Sequence, residues 1–158
     1  MPTRKPVLTD AQIDQNMADA ADEKQIRKVL DAKLPQAEKI ITAATWGNEP
    51  EYMGVAPIGA IKKVLDRAGM TIDDVDAVEL NEAFAAQVIP IMDECDIALE
   101  KLNTHGGAIA LGHPFGMTGA RIMGTLLNVM ETDDHAVGIE TMCVAGGQGN
   151  AMIVERMN

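Results

Sequence analysis

Apolar positions along this chain follow two periods, and the change from one to the other marks out the elements. From Thr9 to Leu34 the spacing is helical: Ile13, Met17, Ala20, Ile26, Val29, Leu30 and Leu34 form a loose apolar face. Thr9 can cap this run, with Gln12 reaching back as a capping box. A second capping signal at Asp22 to Gln25 allows a break into two short helices, and Pro35 ends the run. Lys39 to Thr45, KIITAAT, reads as a buried strand, and WGNEPEYMG after it as a loop. Pro57 to Ala68 predicts the clearest helix. Proline lies in its first turn, Ile58, Ile61, Val64, Leu65 and Ala68 share a face, and Gly69 stands at its stop. DAVEL, Asp76 to Leu80, is a strand leading into NEAFAAQVIPIMDEC, a helix that Pro90 kinks or shortens. KLNT reads as a short strand, and Gly116 to Met130 carries Ile122, Met123, Leu126, Val129 and Met130 at helical spacing. AVGIETMC and NAMIVERM, joined by a glycine turn, read as a tight hairpin. Strands alternating with helices and then a closing hairpin predict an α/β fold: three layers, α/β/α, around a mixed sheet.

Composition narrows the classes. The chain has 158 residues, which suits one domain able to bury a core without disulfides. With 47% hydrophobic and 23% charged residues it has a globular rather than a disordered or membrane composition. No apolar run approaches the roughly 20 residues of a membrane span, and MPTRKPVLTD lacks the apolar centre of a secretory signal, so the cytoplasm is the expected location. A formal net charge of -11 argues against a surface that attracts nucleic acid or an anionic membrane. Cys95 and Cys143 form no CxxC pair, which suggests neither a zinc knuckle nor a disulfide framework. His105, His113 and His135 have no spacing that would gather them around a metal.

In sheets of this kind chemistry concentrates in loops at the carboxyl ends of the strands. Three such loops carry unusual residues: Asn81 to Phe84, HGGAIALGHPFGMTGAR with His113, and CVAGGQG from Cys143 to Gly149. Taken singly, each has a plain structural reading. Asn81 would be a helix N-cap, His113 a structural loop residue, Cys143 a small buried hydrophobe and GGQG a permissive hairpin turn.

Taken together, NEAFA, GGAIALGHPFGMTGAR and a Cys followed by AGGQG, in that order, resemble the C-terminal catalytic half of the thiolases, the acyl-CoA C-acyltransferases. The likeness runs from about Ala37 to Met157, so residues 37–158 are expected to form the thiolase-type domain and residues 1–36 a helical segment with a weak match. It implies a Claisen condensation of two acyl-CoA molecules, or thiolysis in reverse, through an acyl group held on a nucleophilic cysteine. It also implies roles. His113 activates the nucleophile and contributes to an oxyanion hole, which Asn81 completes through a water, and Cys143 is the acid/base that takes the α-proton. The backbone N–H of Ala145 faces the second oxyanion, a geometry alanine can adopt if its φ is negative. Phe84, Gly112, Phe115, Met117 and Gly146 fall where acyl-CoA would bind, although Phe115 and Met117 are expected rather to pack beneath the site. No covalently bound cofactor is implied, and coenzyme A enters as part of the substrate.

The family's nucleophile lies in the N-terminal half, on a cysteine followed by small residues, and this sequence has no such motif. Cys95, set among Asp93, Glu94 and Asp96, is a poor substitute because the acids raise its pKa. Half a site cannot run the full reaction alone, which leaves a subunit of a split thiolase, a piece of a longer enzyme, or a non-catalytic relic used for assembly. Asn81, His113 and Cys143 together favour the first two, and the capped first helix leans toward a genuine small subunit. The expected partners are acyl-CoA and either a chain carrying the N-terminal half or a second copy, covering an apolar face of the helix after Gly116. Decarboxylating ketoacyl synthases and sterol-carrier-type thiolases would show histidine where this chain has Asn81 or Cys143.

Overall fold

A computed structural model describes residues 38–157, so the two helices expected between Thr9 and Leu34 lie outside the described residues. Four strands form one sheet in the order β1–β4–β3–β2. They are β1 (Glu38–Gly47), β2 (Ala77–Leu80), β3 (Val137–Val144) and β4 (Gln148–Arg156). β2 and β3 are parallel, and the hairpin β3–β4 and the pair β1–β4 are antiparallel. Helices α1 (Ala56–Ala68) and α2 (Ala85–Cys95) pack on one face of the sheet. The short α3 (Ala108–Leu111) and the long α4 (Phe115–Thr132) follow, and α4 covers the other face. The expected three-layer mixed α/β arrangement is therefore what forms.

α1 follows its pattern closely. Ala56, Pro57, Ala60, Ile61 and Val64 are buried, and Gly69 closes the helix at φ 66, its N–H donating to the carbonyls of Leu65 and Asp66. Such a left-handed cap suits glycine because no Cβ crowds the preceding carbonyl. α1 enters directly over β4: a Cβ on Gly149 would lie 2.4 to 2.6 Å from backbone atoms of Ala56 and Pro57.

Several elements depart from expectation. β1 is an edge strand and not a buried one, with Ile40 58% and Trp46 44% exposed. Its register shifts between Ile40 and Thr42, and this bulge brings Ile41 as well as Ala44 into the α1-side core. Arg67 and Lys63 of α1 donate to the β1 carbonyls of Ala43 and Thr45, covering an edge that would otherwise offer free acceptors. KLNT is reduced to a single bridge between Leu102 and Val78 after a 3₁₀ turn. α2 starts at Ala85, four residues after Asn81, and continues through Pro90 to Cys95. The exposed positions of α4 include the small or polar Gly116, Ala120, Gly124, Asn128 and Glu131, while Phe115 and Met117 in its first turn are also exposed.

Candidate active site

β2 and β3 run side by side and end together. Leu80 is the partner of Thr141, and the Asn81 N–H extends the ladder by donating to the Thr141 carbonyl at 2.9 Å. This pairing sets Asn81 at the end of one strand near Cys143 in the last turn of the other. Asn81 is fully buried and caps no helix: the N-cap of α2 is Phe84, without a side-chain cap bond. The plain reading of Asn81 is thereby overturned. Its side chain is instead directed to the glycine loop, where Nδ2 lies 3.2 Å from Nε2 of His113.

The other ring nitrogen fixes the tautomer. Nδ1 of His113 is 2.6 Å from Thr118 Oγ1, and that hydroxyl spends its own proton on the Pro114 carbonyl at 3.1 Å. With its proton on that carbonyl Thr118 accepts from Nδ1–H, an assignment that leaves Nε2 as a lone pair facing Asn81 Nδ2. In this tautomer the ε-nitrogen is placed to act as a base. Oδ1 of Asn81 is buried and has no partner among the described residues. An orphan acceptor in a protein interior is costly and is retained where a ligand or water can meet it.

The loop that carries His113 is held from below by Glu82. Its carboxylate accepts from Ile109 N at 2.9 Å and from Asn103 Nδ2 at 2.8 Å. It occupies the space where a Cβ on Gly107 would fall, at 2.3 Å, so this position is glycine for a close approach. Asn103 in turn bonds both the N–H and the carbonyl of Leu80, tying the loop to the end of β2.

Cys143 is buried, and its side chain meets Gln87 of α2, with Nε2 3.5 Å from Sγ. Ala145 begins the turn of the hairpin. Left-handed φ occurs at Gly146 and Gly147, but among the described non-glycine residues only at Asp96, Asn103 and Asp134. The condition set for alanine is thus met. Gly147 O accepts from Asn48 N at 2.7 Å, which pins the turn to the segment after β1.

Phe115 and Met117 do not pack beneath the site, and Phe84 is exposed as well. They are 86%, 40% and 68% exposed, and Phe115 meets the His113 ring edge-on at a centroid separation of 5.0 Å. The Cys95 thiol is raised more by burial than by acids: burial pushes it up to about 11, Lys62 opposes this, and Glu94 and Asp96 add to it. No cluster of three or more His, Cys, Asp or Glu suited to a metal occurs among the described residues, and no helix there is long and apolar enough to cross a membrane.

The sequence reading missed Thr118, Gln87 and Glu82. The clearest signal for one of them was available. Gln87 lies in the same stripe as Ile91 and Cys95, a lone polar residue where helical spacing demands an apolar one.

The thiolase C-terminal domain matches residues 34–156. The chain belongs to the thiolase family. It is 55% identical over 127 residues to a 3-ketoacyl-CoA thiolase of Alcanivorax borkumensis, covering 78% of this chain and 32% of that protein. It is 49% identical over 133 residues to a 3-ketoacyl-CoA thiolase of Saccharophagus degradans, covering 82% and 34% respectively. The crystal structure of the Bacillus anthracis acetyl-CoA acetyltransferase matches with a TM-score of 0.74 and 38% identity, over 76% of this chain and 30% of that one. This thiolase-family chain thus spans about a third of the length of the curated relatives it matches.

Proposed function

We propose that this chain contributes the C-terminal half of a thiolase active site, catalysing Claisen condensation of acyl-CoA or thiolysis of a 3-ketoacyl-CoA. The nucleophilic cysteine would come from a segment outside this sequence. The observation that carries the reading is the contact between Asn81 Nδ2 and His113 Nε2 at the shared ends of β2 and β3. A purely structural histidine has no need of a tautomer locked from behind by Thr118 and a front nitrogen left to one amide.

On this reading the His113 lone pair takes the proton of the nucleophilic thiol. Once protonated, Nε2–H becomes a donor to the oxyanion that forms as the thioester is attacked, in a place where burial strengthens the interaction. Asn81 holds the ring from the side and offers its unpartnered Oδ1 to a water. Cys143 takes the α-proton of the incoming acyl-CoA and later returns a proton, with the Ala145 N–H facing the second oxyanion. Gly112 and Gly146 leave room for the thioester and the pantetheine arm, and exposed Phe84, Phe115 and Met117 line its approach.

The test is coexpression with a chain bearing an N-terminal thiolase half, followed by an assay of CoA-dependent cleavage of acetoacetyl-CoA. Activity that requires both chains and disappears in Cys143→Ala and His113→Ala supports the proposal. Undiminished activity in Cys143→Ala overturns it.

A further inference from the structure

Gln87 is 6% exposed and belongs to the inward stripe of α2, yet it carries a carboxamide. Both ends of that amide face one sulfur. Nε2 lies 3.5 Å and Oε1 3.8 Å from Cys143 Sγ, and Nε2 is also 3.5 Å from the Asn81 carbonyl oxygen. We propose that Gln87 is a further member of the active site, a two-way hydrogen-bond partner that lets Cys143 work in turn as base and as acid. This inference rests on the reading of Cys143 given above.

The physical argument concerns a sulfur that must exist in two states in a buried place. As thiolate it needs a donor, and Nε2–H supplies one; as thiol it needs an acceptor, and Oε1 supplies that. When Cys143 takes a proton from the acyl-CoA α-carbon, the C–H bond breaks and an S–H bond forms. The electron pair stays on the enolate, and the hydrogen bond passes from Nε2–H to Oε1. In neither state is the sulfur itself left without a partner, a loss that would cost about 1–3 kcal/mol. A carboxamide does this without carrying charge. An aspartate or glutamate there would oppose the thiolate, and a lysine would oppose its reprotonation. The link from α2 to the Asn81 carbonyl also joins this sulfur to the strand end that faces His113.

The experiment reads thiolate directly on the full chain, without turnover. Ultraviolet absorbance of the thiolate is measured at one mildly alkaline pH and corrected by subtracting the Cys143→Ala chain, which removes Cys95 and tyrosine signals. Gln87→Met keeps the length and loses the donor, so the thiolate signal of Cys143 should fall about tenfold. Gln87→Glu keeps the shape and adds a negative charge, so its fall should be larger still, and it serves as the second variant should the methionine chain fail to fold. An unchanged signal in a folded variant, checked by circular dichroism, overturns the inference. That result would strike Gln87 alone, whereas undiminished thiolysis in Cys143→Ala would strike the functional reading.

Discussion

The two faces of the sheet are built from the same strands and finished in opposite ways. Under α1 and α2, Ile61, Val64, Val78, Leu80, Ile91, Ile139 and Ile153 close into continuous hydrocarbon. The polar groups on that side are paired: Thr141 donates to the Asn150 carbonyl at 2.7 Å, and Asn103 binds both backbone groups of Leu80. Under α4 there is a smaller apolar cluster of Ala77, Leu126, Val129, Met130 and Val154. Beside it lie Glu79 and Glu140, which are partners across β2 and β3, and Arg121 of α4. Arg121 Nη1 is 3.7 Å from Glu79 Oε2, and the guanidinium nitrogens, Glu79 Oε2 and Glu140 Oε2 have no hydrogen-bond partner among the described residues. Burial pushes Glu79 up to about 7, with Arg121 opposing and Glu82 adding to the shift, and burial alone pushes Glu140 up to about 7. The buried carboxylates thus lie on one face of the sheet and not on the other. The candidate chemistry sits where the faces meet, with Cys143 on the α2 side and Asn81 and His113 on the α4 side.

The largest expected effect tests that junction. In an enzyme complemented with an N-terminal half, Cys143→Ala and His113→Ala should each lower the rate of thiolysis by roughly a thousandfold or more. Thr118→Val, which only frees the tautomer of His113, should lower it by about tenfold. Equal losses from all three would dissolve the distinction between chemistry and support.

Next comes the hydrocarbon face. Gly149→Ala drives a methyl into the backbone of Ala56 and Pro57, which cannot move aside as a side chain could. It should cost about 2–4 kcal/mol in urea unfolding, with little dependence on pH.

The charged face should answer to pH instead. An acid whose folded-state pKa lies above its ordinary value binds its proton more tightly when folded, so stability falls as pH rises from 4.5 to about 7. Glu140→Gln removes one such group. It should stabilise the chain by roughly 1–3 kcal/mol near pH 8 and bring little gain near pH 4, flattening the slope between them. A wild-type chain whose stability is level across that window would erase the contrast between the faces.

The smallest effect is Gly138→Ala, on the same charged face. Its Cβ would meet Leu126 Cδ1 at 2.7 Å and Met130 Sδ at 2.8 Å, the far ends of flexible side chains that can yield. A cost of about 1 kcal/mol, well below that of Gly149→Ala, is expected in the same urea experiment.

How far the sequence could be read depended on how local the cause was. α1 was legible because its proline, apolar stripe and terminal glycine all act within the helix, and α4 and the β3–β4 hairpin were legible for the same reason. β1 looked buried because its residues are apolar, but burial depends on what packs over each strand: β1 and β2 both lie at sheet edges, yet β2 is buried throughout and β1 is not. Asn81 read as a cap because caps are common at strand-to-helix junctions. Its true direction follows from the ladder bond to Thr141, 60 residues on.

The order of elements, the positions of Asn81, His113 and Cys143 in their motifs, and the membership of the thiolase family were determined by the sequence alone, because they rest on periodicity and on short runs of residues. The tautomer of His113, the amide beside Cys143, the carboxylate beneath Gly107 and the charges buried under α4 were decided only in three dimensions. Each depends on atoms from separate elements meeting within about 3 to 4 Å. No local pattern encodes such a meeting, because it is the packing of helices on both sides of the sheet that sets those distances.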